Sequence, residues 1–396
     1  MKMQIISFNI RYPFKQYFFV VLLFLLPLLV VGQGEKRTIT TAVPFLNIKT
    51  DARSTGMGSL GVASSPDIYA QFWNTAKYTF AESENAIAVS YLPYARRVAN
   101  NLFMAGLSYY EQRNERSAWG ASLKYFSLGE IELNQFQGGQ IVELGVERPN
   151  EFALDFSYNL KLNNDFSMGV TSRFFRSDIG FRDGASKATL SSLAFDVSAY
   201  YEKDFTDNIR FRSGAVIANL GPKVKYDSDQ TPQFIPTQLR FGSGATFTFE
   251  NQQSLMILLE FSKLLVPSLA DTNNEINFLS GIFRSFSDAP DGFSEELKEI
   301  NWGLGAEYSL NDIFKFRTGY YRENPQKGSL QYLSLGLGVN RYNIQFDLAY
   351  LINTADLQSQ LQNSLSFSAG IPIQFKSKEE ATLEAIENET TGSENP

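Results

Sequence analysis

The chain has 396 residues, a net charge of −7, and neither cysteine nor histidine. This excludes disulfides, a lipid-modified N-terminal cysteine, Ser-His-Asp and Cys-His catalysis and the commonest zinc ligand, and the negative charge argues against nucleic acid as a partner. Aromatic residues make up 14% of the chain, with 34 Phe and 19 Tyr, although mean hydropathy is slightly negative. That combination suits a barrel with one face in lipid and the other in water.

In chain order, residues 1–32 read as a secretory signal peptide. Lys2, Arg11 and Lys15 precede an apolar run from Phe18 to Val31, and Val30, Val31 and Gly32 offer small residues before Gln33. No later segment is apolar for long enough to span a bilayer as a helix. Residues 33–84 show no sustained period. They contain GMGSLG at 56–61, which matches the G-x-G-x-x-G spacing of a dinucleotide loop. A polar run precedes it and the turn-forming Val62 to Asp67 follows, so the strand and helix that such a loop requires are missing. The glycines read instead as a tight turn in a plug segment that buries its aromatics in the barrel lumen.

From residue 85 onward apolar residues recur with a period of two, as in Phe152, Leu154, Phe156, Tyr158 and Leu160 against Asp155, Ser157, Asn159 and Lys161. Fourteen such segments are predicted, near 85–92, 102–110, 117–126, 151–161, 166–176, 191–202, 209–220, 237–249, 254–263, 299–310, 313–321, 329–339, 343–351 and 363–375. An even number suits closure of an antiparallel barrel, and about ten residues per segment is enough for a tilted strand to cross a bilayer. Connections alternate between short and long. The long ones are 93–101, 127–150, 177–190, 221–236, 264–298, 322–328 and 352–362. This predicts an outer-membrane barrel over 85–375, with short periplasmic turns, long outer loops and both termini in the periplasm. Residues 376–396 read as an acidic periplasmic tail.

The faces predicted to point inward carry small residues and charges of both signs. Arg173, Arg210, Arg212, Arg240, Lys315 and Arg317 stand against Asp155, Asp196, Glu202, Glu260, Glu307 and Asp347. Such residues pair across a filled lumen more readily than they line an ion-selective pore.

Three stretches carry a resemblance to a known family. They are Asp51 to Gly58 with Val62 to Asp67 and Phe72 to Tyr78, then Ser285 to Ile300, then Arg317 to Gly328. The chain resembles the PorV family, outer-membrane barrels of the type IX secretion system of Bacteroidetes, within the wider FadL-like group of fourteen-stranded transporters with an N-terminal hatch. It departs from that group at Thr75, where proline is usual after Asn74. The resemblance implies a plug motif at Asp51, Arg53, Gly56, Gly58, Gly61, Trp73 and Asn74. It further implies a non-enzymatic role: docking on a SprA-type translocon barrel, receiving cargo with C-terminal sorting domains, and passing it to a PorU-type sortase complex.

In the longest loop, Phe286, Asp288, Pro290, Gly292 and Phe293 are the expected partner-docking residues, beside Phe278 and Phe283. Asp288, Pro290 and Gly292 favour a turn, and Ser294 is placed to cap a short helix. A FadL-like transporter of fatty acids or other hydrophobic molecules is the alternative function. A deacylase would lack a histidine base and a nucleophile-elbow serine. Outer-membrane lipid is the expected surroundings, and no catalytic residue, metal or cofactor is expected.

Overall fold

The computed structural model describes residues 37–94, 101–137, 140–182, 186–227, 230–268, 276–342, 344–355 and 364–373, so the expected signal peptide and acidic tail lie outside the described residues. Among the described residues, fourteen antiparallel strands close into one barrel. In chain order they are β1 (Asn85–Pro93), β2 (Leu102–Asn114), β3 (Ser117–Leu128), β6 (Asn150–Lys161), β7 (Phe166–Arg182), β8 (Ser186–Thr206), β9 (Ile209–Leu220), β10 (Gln238–Phe249), β11 (Gln253–Leu264), β12 (Asn301–Leu310), β13 (Phe314–Arg322), β14 (Gln331–Arg341), β15 (Ile344–Asn353) and β16 (Leu365–Pro372). The first strand pairs with the last, with Val89 opposite Ala369, which removes every free barrel edge. Two further strands, β4 (Ile131–Gln137) and β5 (Gln140–Glu147), form a separate hairpin between β3 and β6.

Lipid explains the strand pattern. In β6, Leu154, Phe156 and Tyr158 are exposed while Asp155, Ser157 and Asn159 are buried. Backbone groups in a bilayer must be satisfied within the protein, and a closed barrel does this while aromatic and aliphatic side chains face outward. Tight turns join strands at one end of the barrel. At the β12–β13 turn Asn311 and Asp312 both adopt φ +54, a left-handed conformation that short polar residues tolerate. The opposite end carries the long connections.

The structure corrects two of the expected long connections. Within 127–150 the chain forms the hairpin β4–β5 rather than an open loop. Across 177–190 strands β7 and β8 continue, with Asp178 still paired to Thr189. Within 177–190 polar residues such as Ser177 and Asp178 are buried beside Ala188 and Leu190, so burial there does not follow an apolar period of two.

Residues 42–80 pack against the inward faces of the barrel, in a 3-10 turn (Pro44–Asn47), the short helix α1 (Ala52–Thr55) and two more 3-10 turns (Ala70–Phe72 and Thr75–Phe80). Phe45 and Leu46 join an apolar cluster with Met104, Phe126, Phe175 and Ile235. Met57 and Leu60 pack on Met256 and Leu258.

Candidate functional site

Two regions hold the residues singled out by sequence: the lumenal segment and the long β11–β12 connection. In the first, Asp51 caps α1. One carboxylate oxygen accepts the Ser54 N–H at 2.8 Å and the other accepts the Trp73 indole N–H at 2.6 Å. The indole lies on the glycine turn, so closely that a Cβ at Gly61 would sit 2.3 Å from the ring. Lys49 and Arg240 stand 5.4 Å and 5.3 Å from the same ring, within cation–π range. Gly58 has φ +82 and approaches the Tyr320 backbone. Gly56 lies against Gly336, where a Cβ on either would come within 2.9 Å of the opposite Cα. The turn therefore meets the wall backbone to backbone, and no nucleotide is needed to explain it.

Charge fixes this segment to the wall. Arg53 donates to Glu307 on β12 at 3.0 and 3.2 Å and to Asp67 at 2.7 Å. Asp67 also accepts from Lys77 at 2.8 Å. Arg317 on β13 bridges Glu307 at 2.5 Å and Asp347 on β15 at 2.7 Å, and Tyr69 donates to Asp347 at 3.0 Å. Glu260 on β11 accepts the backbone N–H groups of Gly61 and Val62, each at 3.1 Å. On the far side, Asn74 donates to Val62 O and to Ala199 O on β8, both at 2.9 Å. Thr75, where proline is usual, starts the last 3-10 turn, and its hydroxyl lies 3.2 Å from that of Ser198.

The expected pairing of inward charges holds for Arg173 with Asp155 and Asp196, for Arg212 with Glu202, and for Arg317. Arg240 instead donates to Gln238, and Lys315 to Ser309. Below the segment, at the short-turn end, lies a cavity of about 810 Å³ lined by Arg53, Asp67, Glu202, Arg212 and Lys315.

The β11–β12 connection, the shelf, carries α2 (Phe278–Arg284) and α3 (Phe293–Glu296). Asn277 caps α2 through Ser280 N–H. Pro290 sits in a turn closed by Gly292 N–H to Ala289 O at 2.9 Å, and Gly292 itself adopts φ +69. Ser294 does not cap α3. Gly292 occupies the N-cap, and the Ser294 hydroxyl donates back to Asp291 O. The side chains of Glu296 and Glu295 bind the turn instead, accepting from Ala289 N–H and Asp291 N–H at 2.9 Å each.

Beneath the shelf is a buried charge cluster. Lys327 reaches Glu295 at 2.7 Å and Glu299 at 2.8 Å, while Lys263 reaches Glu296 at 3.1 Å and also Glu299. Carboxylate oxygens of Asp288, Glu296 and Glu299 converge within 4.8 Å, and the two ammonium groups supply their countercharge. Asp288 accepts the Ser268 N–H at 2.5 Å. Burial pushes its carboxyl above the usual range, and neighbouring Glu299 and Glu296 add to the rise. Glu295 lies below the usual range because the Lys327 ammonium and the Asp291 N–H outweigh its burial.

Most aromatics of the same connection are exposed. Phe283 is 76% exposed and Phe293 77%, with Leu279, Phe286 and Leu297 also exposed, whereas Phe278 is half-buried. Phe286, Asp288, Pro290, Gly292 and Phe293 all lie in this connection, as do the exposed Leu279 and Leu297. Sequence reading gives Lys263 and Lys327 no role, because their partners are set by tertiary contact.

A closed fourteen-stranded barrel whose lumen is occupied by an N-terminal segment defines an outer-membrane barrel of the hatch-bearing kind. The family model described as "Type IX secretion system protein PorV" matches residues 31–271, and the chain belongs to that family. Comparison with curated proteins returns no match. Among solved structures, the Pseudomonas putida toluene transporter TodX is 10% identical with a TM-score of 0.51, covering 81% of this chain and 98% of that one. The Ralstonia pickettii toluene transporter TbuX is 13% identical with a TM-score of 0.49, covering 82% and 98%. A Pseudomonas aeruginosa FadL homologue is 12% identical with a TM-score of 0.45, covering 86% and 100%. At such identities the likeness concerns the barrel fold.

Proposed function

We propose that this barrel is the outer-membrane component of the type IX secretion system that docks on a SprA-type translocon, receives cargo bearing C-terminal sorting domains and hands it to a PorU-type attachment complex. In this reading the long connections face outward and both ends of the chain lie in the periplasm. The observation that carries it is the shelf of Phe283, Phe286 and Phe293 at the long-loop end. Three exposed phenylalanines in one connection, whose last turns are held by buried ion pairs, offer exposed apolar surface of the kind that marks an interaction site. Preorganisation by the ion pairs limits the entropy lost when a partner covers them. A transporter of hydrophobic molecules is supported less, because residues 42–80 fill the lumen and meet the wall backbone to backbone at Gly56 and Gly58. An enzymatic role has no histidine to serve as base.

The test replaces Phe283, Phe286 and Phe293 with alanine. Aromatic anchors are worth roughly 2–4 kcal/mol each at protein interfaces, and none of the three supports a barrel strand. The variant is expected to reach the outer membrane at wild-type level while sorted cargo fails to appear on the cell surface. Toluene and fatty-acid uptake are expected to be unchanged. Normal cargo display at normal protein level would remove the shelf as the docking element.

A further inference from the structure

The hairpin β4–β5 stands apart from everything else in the chain. Among the described residues, each of its strands has one hydrogen-bonded neighbour, the other strand, so both outer edges present unpaired backbone groups. A two-stranded sheet alone is marginally stable in water. Packing a face on the barrel would stabilise it, yet each face mixes polar pairs with apolar ones such as Phe136 opposite Ile141. Ile131 lies opposite Glu147, Glu132 opposite Val146, and Asn134 opposite Glu143. Ile131, Val142 and Val146 are exposed, as are Glu132 and Glu143. What remains for a partner is an edge.

The charges say which partner. Residues 130–148 contain Glu130, Glu132, Glu143 and Glu147 against a single Arg148. Arg148 pairs with Glu130 at 3.0 Å, while Glu132, Glu143 and Glu147 have no ion pair among the described residues. Charged edges are a common guard against indiscriminate strand pairing. An acidic guard still admits a strand of opposite sign, giving selection by repulsion as well as attraction.

We propose that β4–β5 is an acceptor hairpin that takes a basic, extended strand of the secreted cargo onto the free edge of β5. Backbone hydrogen bonds would supply affinity, and lysine or arginine in the added strand would meet Glu143 and Glu147, both carried by β5. The proposal rests on the secretion reading above, and the hairpin shares the long-loop end with the aromatic shelf.

The experiment uses the full chain purified in detergent and, as probe, the purified C-terminal sorting domain of one secreted protein from the same cell. Hydrogen exchange is followed over 131–137 and 140–147. Binding should slow exchange there at least tenfold, and Glu143→Lys with Glu147→Lys should weaken binding at least tenfold. Among the described residues these side chains make no hydrogen bond or ion pair to a barrel strand, so barrel assembly is expected to be unchanged. Lysine-to-glutamate changes in the probe's paired strand should restore binding to the reversed hairpin. Binding without protection of the hairpin, or equal binding by the charge-reversed variant, would overturn the proposal and leave the secretion reading standing. Absence of binding to the wild type would sink both. Protection of the hairpin without probe, in a dimer, would make a second copy its occupant and overturn the cargo assignment.

Discussion

Gly58 shows what a single residue does in this lumen. Its φ of +82 disfavours any side chain, and a Cβ would stand 3.1 Å from the Tyr320 nitrogen. A non-glycine residue in the left-handed region costs about 1–2 kcal/mol before any clash. Gly58→Val is therefore expected to loosen the lumenal segment, read as faster trypsin cleavage within 42–80, while the barrel keeps its heat-modifiable migration on gels. Equal protease resistance in the variant would contradict the close packing. The ion pairs give an ordering. Arg53→Met leaves Glu307 with Arg317, and Asp67 with Lys77. Arg317→Met strands Asp347, whose remaining partners are neutral, and leaves Glu307 with Arg53 alone. Breaking a buried pair costs about 3–5 kcal/mol, so Arg317→Met should lower the urea midpoint further than Arg53→Met. The reverse order would refute this assignment of partners. At this scale the sequence reveals types rather than partners. Inward parity marks Glu307 and Arg317 as charged lumen residues, but nothing local tells Arg53 that Glu307, 254 positions away, will receive it.

Among the elements, the β11–β12 shelf is governed by its buried charges. Glu295 is held below its ordinary value of 4.5, so the folded shelf binds fewer protons than the unfolded loop. Its stabilisation is complete above about pH 4.5 and is lost as pH falls through the lower folded value. Lys327 is raised above its ordinary 10.5 because Glu295 and Glu299 outweigh burial, so its share is present below that pH and lost as pH rises through the higher folded value. Protease nicking within 276–300 should therefore stay low from about pH 5 to 10 and rise in acid below about pH 4.5. Lys327→Met should move the acid onset upward, because Glu295 loses its nearest cation. An unchanged onset would show that Lys327 does not set it. Elements facing lipid on one side are legible from alternation, as β6 and β15 are. The hairpin β4–β5 and the extensions of β7 and β8 are not, since the hairpin mixes polar and apolar residues on each face and the extensions bury polar Ser177 and Asp178 beside Ala188 and Leu190. In the shelf the short helix α3 is legible but its cap is not: the turn is held by Glu295 and Glu296 rather than by the Ser294 hydroxyl that local rules favour.

For the whole molecule, a bilayer imposes closure, an even strand count and a sidedness that follows from connection length. The fourteen strands were legible because lipid contact repeats the same alternation in each of them. The filling of the lumen was legible only as a need, from aromatics in residues 33–84 with no period to place them. Sidedness is the property that joins the proposals above, since shelf and hairpin act on cargo only if the long-loop end is outside. The chain has no cysteine, so single cysteines report position without background. Asn134 on β4 and Asp291 on the shelf are exposed at the long-loop end, and Asn164 is exposed in the β6–β7 turn at the other. Asn134→Cys and Asp291→Cys should react with a membrane-impermeant maleimide in intact cells. Asn164→Cys should react only after the outer membrane is permeabilised. Labelling of Asn164→Cys alone in intact cells would invert the barrel, placing the aromatic shelf and the acidic hairpin in the periplasm, where neither could present cargo to the surface.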